Sequence, residues 1–568
     1  MAKAKKKRAA AKPSEEELLL SRQERLDNKI MVVLLLIIAL VPLITRMVVL
    51  PHVAPTISGN ILDTGMKGNA FTYLKMNLLI LLTGAAALLF LYKMVFLKYH
   101  IKPSFINIPT AALFILILLS CLFSSYSSVA TTGIFTRHEG TLTYVMYMTL
   151  FFIAANIQVK PKYLDYVVYA LAPIVIVNGV LGLLGFYGVD ILENSTVQSL
   201  VISPEVAKYM TEGSVLDTTI DNPNYVSGIA SVIFMIFLTR FLFSERRTRE
   251  AIIHYILLLF TFAMLLAATS ASGFLTIMVI VPFIMVPAFL RGRVVPVLLK
   301  SVGLLASLVL VYIKLNAHNQ AVYYNTLGSL PNITVIPVMV LAVVLAIVIG
   351  VRYKGFRKGI VVLAALVLIT GLIYSDKLQT IPPFNQLIRI AETYSTVDSD
   401  PVSLVPDENG VLNLPSPKPS LDSGRIYIWT LTMDLIKEKP ILGYGLDTLG
   451  YYFPHYDLKG AEYLSSNIVD KPHNMYLAMA FGSGIPALLA FLIIVVLYLK
   501  ENVFLYSTKI NTHRKIMLLC ILGGCLAYLF QGNFNDSIIG TAPLFWILLG
   551  MGISLLHQEK HSIEGNKR

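Results

Sequence analysis

His473 and Asn474 stand together in "VDKPHNMYLAMAFGSG", directly before a long apolar run, and Arg425 and Trp429 lie four residues apart in "DSGRIYIWTLTMDLIKEKPILGYG". An imidazole can take up a proton near neutrality, because its unperturbed pKa is near ~6.5. A guanidinium keeps its charge at any working pH and can grip phosphate oxygens with two parallel hydrogen bonds. These are the parts needed to displace a phosphorylated leaving group: a base for the attacking hydroxyl and a cation for the departing charge. Arg137, in "TGIFTRHEGTLTY", offers a second guanidinium. Read alone, each has a plainer role. His473 is then a membrane-interface residue, Arg425 a partner for Asp422, and Arg137 a solvated partner for Glu139.

The elements that must hold these groups follow from periodicity. Asp422 and Ser423 are good helix N-caps, and Ile426, Trp429, Leu431, Met433, Leu435 and Ile436 recur at helical spacing. Arg425 and Trp429 then share a face, where the guanidinium can lie against the indole. Pro440 stops that helix, and Gly443 and Gly445 supply a turn.

Composition sets the wider frame. With 56% hydrophobic and 14% charged residues and a mean hydropathy of +0.70, there is too little polar surface to solvate a water-soluble globule, so an all-α, polytopic integral membrane bundle is expected. Cys121, Cys520 and Cys525 all fall in apolar runs, and neither a disulfide framework nor a metal-ligand spacing is read from them. The net charge of +13 is spread over short loops and a Lys-rich N-terminus, a pattern of membrane topology and not of nucleic-acid binding.

About fourteen spans are expected, beginning near Ile30, Leu74, Ile106, Thr141, Tyr166, Pro223, Ile252, Gly273, Val295, Ile333, Gly359, His473, Lys515 and Ser537. With both termini cytoplasmic, the basic loops fall on the cytoplasmic side, and Lys67, Arg137 and Lys208 are the external exceptions. The expected organisation is a basic cytoplasmic tail (1–29), a bundle of about 11 spans (30–374) and a large external loop with short helices (375–472) between the eleventh and twelfth spans. About 3 more spans (473–556) and a cytoplasmic tail (557–568) follow. The N-terminal stretch lacks the features of a signal peptide, and no internal repeat is evident.

Arg425, Trp429, Pro440, Gly443 and Gly445, followed by the His473-Asn474 pair at the mouth of a span, resemble the shared region of the O-antigen ligase and O-antigen polymerase superfamily. "TGIFTRHEGTLTY" is similar to an Arg-x-Glu-Gly segment of some members, and "TTIDNPNYVSG" is similar to the Asn-Pro-Asn start of a middle span. The resemblance is clearest from Arg425 to Ala490. Two positions depart from it: Ser272 precedes Gly273 in "ATSASGFL", where an arginine is usual, and Ala487 replaces a glycine, with Gly482 and Gly484 close by.

The resemblance implies a bacterial cytoplasmic-membrane glycosyltransferase that works without metal or other cofactor. It would move glycan from an undecaprenyl diphosphate carrier to a glycan, lipid or protein acceptor on the external face, in cell-surface polysaccharide biosynthesis. His473 and Arg425 are then the expected catalytic residues, and Arg137, Asn474, Trp429 and Tyr452 the expected substrate-binding ones. Tyr452, with Tyr451, Phe453 and Tyr456, offers faces for stacking on sugar rings or for an aromatic belt. Asn222 and Asn224 read as turning the chain into its next span, and Asp398-x-Asp400 as loop residues without a metal.

The alternative is a lipid-linked oligosaccharide flippase. A flippase requires charges along several spans lining a central cavity, whereas the spans here carry isolated ones such as Arg46, Lys75 and Lys314.

Overall fold

The computed structural model describes residues 14–54, 64–203, 206, 218–244, 248–291, 294–317, 424–455, 468–507 and 512–565. The chain begins with α1 (Glu15–Leu40), β1 (Val48–His52), β2 (Gly65–Asn69), α2 (Tyr73–Phe96), α3 (Asn107–Leu122), α4 (Ser127–Thr132), α5 (Thr141–Asn156) and α6 (Pro161–Phe186). It continues with α7 (Ser195–Val201), α8 (Pro223–Phe243), α9 (Arg249–Ala267), α10 (Ala271–Arg291) and α11 (Val294–Asn316). After the stretch outside the described residues come α12 (Arg425–Glu438), α13 (Leu449–Tyr452), α14 (Met475–Ser507), α15 (Thr512–Gln531) and α16 (Ala542–Gly565).

Local chemistry sets the helix starts. A Ser14–Glu17 capping box and three consecutive glutamates open α1, so this helix begins well before the expected span start at Ile30. Asn222 caps α8, with Pro223 in its first turn, and Thr248 caps α9. Ten of the expected span starts fall on described helices or at their caps, whereas His473 lies two residues before α14 and Ser537 five before α16; those near Ile333 and Gly359, and Asp398 and Asp400, lie outside the described residues. Among the described residues, 8 helices are long and apolar enough to cross a membrane, and α3 and α5 are shorter apolar helices. The chain is a multi-pass membrane protein.

α8 is the central helix: 83% of its span is buried, against 28% for α2. It packs on α9, α10 and α15, while α16 packs on α5 and α14 on α3. The all-helical expectation misses one element. β1 and β2 form an antiparallel pair, Val48 opposite Asn69 and His52 opposite Gly65, which lies against the loop after α4 through Asn69 Nδ2 donating to Phe135 O at 2.5 Å.

Within α14 the backbone breaks at Gly484 (φ +86°), and Pro486 follows. Proline has no N–H, so Gly482 O loses its intrahelical donor; Gly445 N donates to it instead at 2.9 Å, and Ser120 Oγ donates to it as well. Ile485 N donates outward to Pro440 O at 2.8 Å, which frees Phe481 O for Tyr444 N at 2.9 Å. Gly443 and Gly445 are therefore more than a turn. They let the segment after α12 run backbone to backbone along the kink, where a Cβ on Gly443 would lie 2.3 Å from Phe481 O.

The turns after α4, α9, α13 and α15 meet the starts of α8 and α14 at one end of the bundle. The opposite end carries the expected cytoplasmic loops and is tied by buried Lys93–Asp27 (2.7 Å), by Lys160–Glu24 (2.6 Å) and by Arg240–Asp165.

Candidate functional site

His473 is the last residue before the cap of α14, and its φ of +52° is unusual for a side chain with a Cβ. Asn474 makes that conformation possible. Its Oδ1 accepts from Tyr476 N at 3.0 Å and Leu477 N at 3.1 Å, capping the helix, while its Nδ2 donates to Asn533 O at 3.3 Å. Met475 N donates to Gly532 O at 2.8 Å, so the start of α14 is stitched to the loop between α15 and α16.

That loop supplies Asp536, a residue the sequence did not single out. Its Oδ2 lies 2.9 Å from His473 Nδ1 and accepts from Tyr225 Oη at 3.3 Å. The Asp536 side chain is 0% exposed and that of His473 34%, so the carboxylate is buried behind an imidazole that still reaches solvent. Burial alone would raise the Asp536 pKa, but His473, Lys471 and Arg137 outweigh it and hold the carboxyl down to about 2. An ionised carboxylate on Nδ1 fixes the ring and favours the tautomer that leaves Nε2 as the acceptor.

Arg137 joins the same cluster. Its Nε donates to Asp470 Oδ2 at 3.2 Å, a second nitrogen lies 3.9 Å from Asp221 Oδ2, and its guanidinium carbon is 5.4 Å from the Tyr225 ring centre. The expected Arg137–Glu139 pairing gives way to a different use of the acid. Glu139 Oε1 accepts from Tyr147 Oη at 2.5 Å, and its N–H donates to Asp447 Oδ2 at 3.2 Å. Lys471 Nζ lies 3.6 Å from Asp447 Oδ1. Burial raises the Glu139 and Asp447 carboxyls; burial alone would lower Lys471, but Asp447 and Glu139 raise it. Arg137, Lys471, five carboxylates and His473 form one polar layer across the mouth of the bundle.

α12 is docked onto this layer by Trp429, whose Nε1 donates to Pro472 O at 2.7 Å, the carbonyl just before His473. Arg425 sits one helical turn earlier, at the start of α12, behind Gly424 (φ +74°), which takes the cap position in place of Asp422 or Ser423. The indole N–H is thus spent on the His473 turn, and Arg425 opens the helix that carries Trp429. Tyr452 lies within an aromatic group. Its ring centre is 4.4 Å from Tyr444 and 5.2 Å from Tyr126, and Lys439 Nζ is 5.7 Å away.

Asn222 and Asn224 turn the chain into α8, as expected, but Asn224 also accepts from Ser270 Oγ at 2.7 Å and, through its carbonyl, from Asn535 Nδ2 at 3.1 Å. Ser272 Oγ lies 3.0 Å from Ser270 Oγ. The turn that carries Ser270 and Ser272 is thereby tied to the start of α8.

The residues missed by sequence reasoning are Asp536, Tyr225, Asp221, Asp447, Asp470 and Lys471. The sequence signals were weak: "NFNDS" between two apolar runs, and "VDKP" directly before His473.

Residues 333–492 match the family model described as O-antigen ligase, which supports a membrane glycan-transfer function. Arg425, Trp429, Tyr452, His473 and Asn474 lie inside that stretch, whereas Arg137 and Asp536 lie outside it. No curated protein matches the chain.

Proposed function

We propose that this chain, whose resemblance to the O-antigen ligase and polymerase superfamily is borne out over residues 333–492, is a membrane glycosyltransferase using an undecaprenyl-diphosphate-linked glycan. The acceptor is a glycan, lipid or protein on the external face of the bacterial cytoplasmic membrane, and the product enters cell-surface polysaccharide or glycoconjugate. The observation that carries this reading is the His473–Asp536 pair at the end of the bundle where Arg137 and α12 converge.

In the proposed step the acceptor oxygen attacks the anomeric carbon while His473 Nε2 takes its proton. The bond from that carbon to the diphosphate oxygen breaks, and the electron pair leaves with the lipid diphosphate. Attack opposite the leaving group inverts the anomeric configuration. Arg425 holds the diphosphate, with Arg137 as its second cation, Asn474 fixes the turn that carries His473, and Trp429 and Tyr452 border the glycan. Arginine takes the leaving-group charge, so no metal is required of this chemistry.

The test is transfer by purified protein from a defined undecaprenyl diphosphate donor to a soluble acceptor, with and without EDTA. Transfer unaffected by EDTA and accompanied by anomeric inversion is expected. A wild-type protein that scrambles lipid-linked glycan across vesicles without transferring it would show a flippase instead.

A further inference from the structure

Directly behind Asp536, between α8, α15 and the loop that follows α15, lies a cavity of about 20 Å³ bordered by Tyr225, Gly228, Met475, Gln531, Asp536 and Thr541. One water needs roughly 10–15 Å³ and two or more polar partners. Two buried atoms among the lining residues have no protein partner: Gln531 Nε2, a donor, and Asp536 Oδ1, an acceptor. Gln531 is 4% and Asp536 6% exposed. The Gln531 amide is oriented by Asn535, whose Nδ2 donates to Gln531 Oε1 at 2.8 Å, so the side of Gln531 left over is the donor. The carboxylate is likewise oriented, since its other oxygen is taken by His473 and Tyr225. A buried donor and a buried acceptor of matched character, on two residues that border one small cavity, fit a molecule that accepts from one and donates to the other.

We propose that this cavity binds one ordered water, which accepts from Gln531 Nε2 and donates to Asp536 Oδ1, and thereby keeps the carboxylate turned toward His473. The water makes Gln531 a positioning residue that acts on the imidazole through Asp536. The carboxyl held at about 2 accords with this, because an ionised group so deeply buried needs its second oxygen solvated as well as its first. The part of this inference that concerns activity rests on the glycosyl-transfer reading above; the water site itself does not.

Gly228 gives the means to test it. A Cβ there would meet Asn535 Nδ2 at 3.5 Å and Gln531 Cδ at 3.8 Å, ordinary contact distances, so Gly228→Ala fits in α8 while its methyl takes up cavity room. Alanine also favours the helix over glycine, so the melting temperature of the purified variant should be equal or higher. Transfer should nevertheless fall by about tenfold to a hundredfold, the worth of one hydrogen bond to a charged group. The loss should appear in kcat with KM for the lipid donor unchanged. Gly228→Ser, whose hydroxyl can replace the water, should recover most of the rate.

The decisive measurement is an experimental map of the wild-type protein at a resolution where ordered waters are seen. Density within hydrogen-bond distance of both Gln531 Nε2 and Asp536 Oδ1 supports the proposal. A map in which either atom instead meets a protein group, or Ala and Ser variants as active as wild type, overturns it. If the wild type transfers no glycan but the density is present, the water site stands and the glycosyl-transfer reading is what fails.

Discussion

His473 and Asp536 are 63 residues apart in the chain, yet His473 Nδ1 and Asp536 Oδ2 stand 2.9 Å apart, with the histidine held at φ +52°. A left-handed backbone at a non-glycine residue costs of order 1–3 kcal/mol, and it persists where the surroundings impose it. Here the Asn474 cap and the Met475 bonds to the loop before Asp536 impose it, which makes the pair a geometry the fold holds under strain.

The first expected consequence is a dependence of stability on acid. The Asp536 carboxyl is depressed from 3.8 in the unfolded chain to about 2 in the fold. A depressed pKa contributes stability that is present above 3.8 and lost as pH falls toward about 2. Thermal unfolding in detergent between these values should therefore steepen in the wild type and be flatter in Asp536→Asn. Parallel curves for the two would show that folding does not lower the pKa of this carboxyl.

The two arginines should separate by their partners. Arg137 is held by Asp470 and lies over Tyr225, so Arg137→Ala leaves a half-buried acid without its cation and should lower the melting temperature. Arg425 opens the helix that Trp429 docks onto the His473 turn. If it grips diphosphate, Arg425→Lys should keep the melting temperature while lowering transfer roughly a hundredfold to a thousandfold. A lysine variant with normal transfer at equal membrane abundance would remove Arg425 from the catalytic group.

The sequence revealed the parts of this site that are local and concealed those that are not. His473 and Asn474 stand out because they precede an apolar run, and Asn474 does cap the helix that follows. Arg425 and Trp429 stand out through their spacing, although that spacing does not show the indole N–H donating to Pro472 O. Asp536 and Tyr225 could not be found in this way, because what pairs them with His473 is the packing of α14 against α15 and α8, which no spacing within one element encodes. Gly443 and Gly445 were legible as a turn, but not, together with Gly484, as three sides of a single contact. The β1–β2 pair was hidden for a related reason: five-residue strands with a proline at Pro51 give too short an alternation to register.

That contact gives a sharp test of how the site is assembled. A Cβ on Gly484, at φ +86°, would lie 2.0 Å from Ile441 O, which neither backbone can yield without breaking the Pro440–Ile485 bond. Gly484→Ala should lower the melting temperature and transfer together, whereas Gly303→Ala, with open space around its Cβ, should change neither. A stable, active Gly484→Ala protein would mean that the segment after α12 is not locked to α14.

Orientation is tested by labelling in a background with Cys121 replaced. Ser199, exposed in α7, should be labelled as cysteine by an impermeant reagent in intact cells stripped of outer barriers. Glu250, exposed at the opposite end in the first turn of α9, should be protected. The reverse pattern would turn the His473 end toward the cytoplasm and remove the external acceptor.

The closest test of chemistry is whether His473 and Asp536 act as one unit. His473→Ala should lower transfer by about a hundredfold to ten-thousandfold, the range for a lost general base, compared at equal abundance of folded protein in the membrane. Asp536→Asn keeps the shape but removes the charge that fixes the ring, and should also fall sharply. In the double variant the second change should cost almost nothing further, since an asparagine cannot misplace a base that is no longer there. Activity of the wild type should fall on acidification, because only the neutral imidazole accepts a proton, and this acid limb should be missing from the residual activity of His473→Ala. If the two losses multiply instead, Asp536 supports the fold independently of His473. If His473→Ala retains the same acid limb, the base is another group.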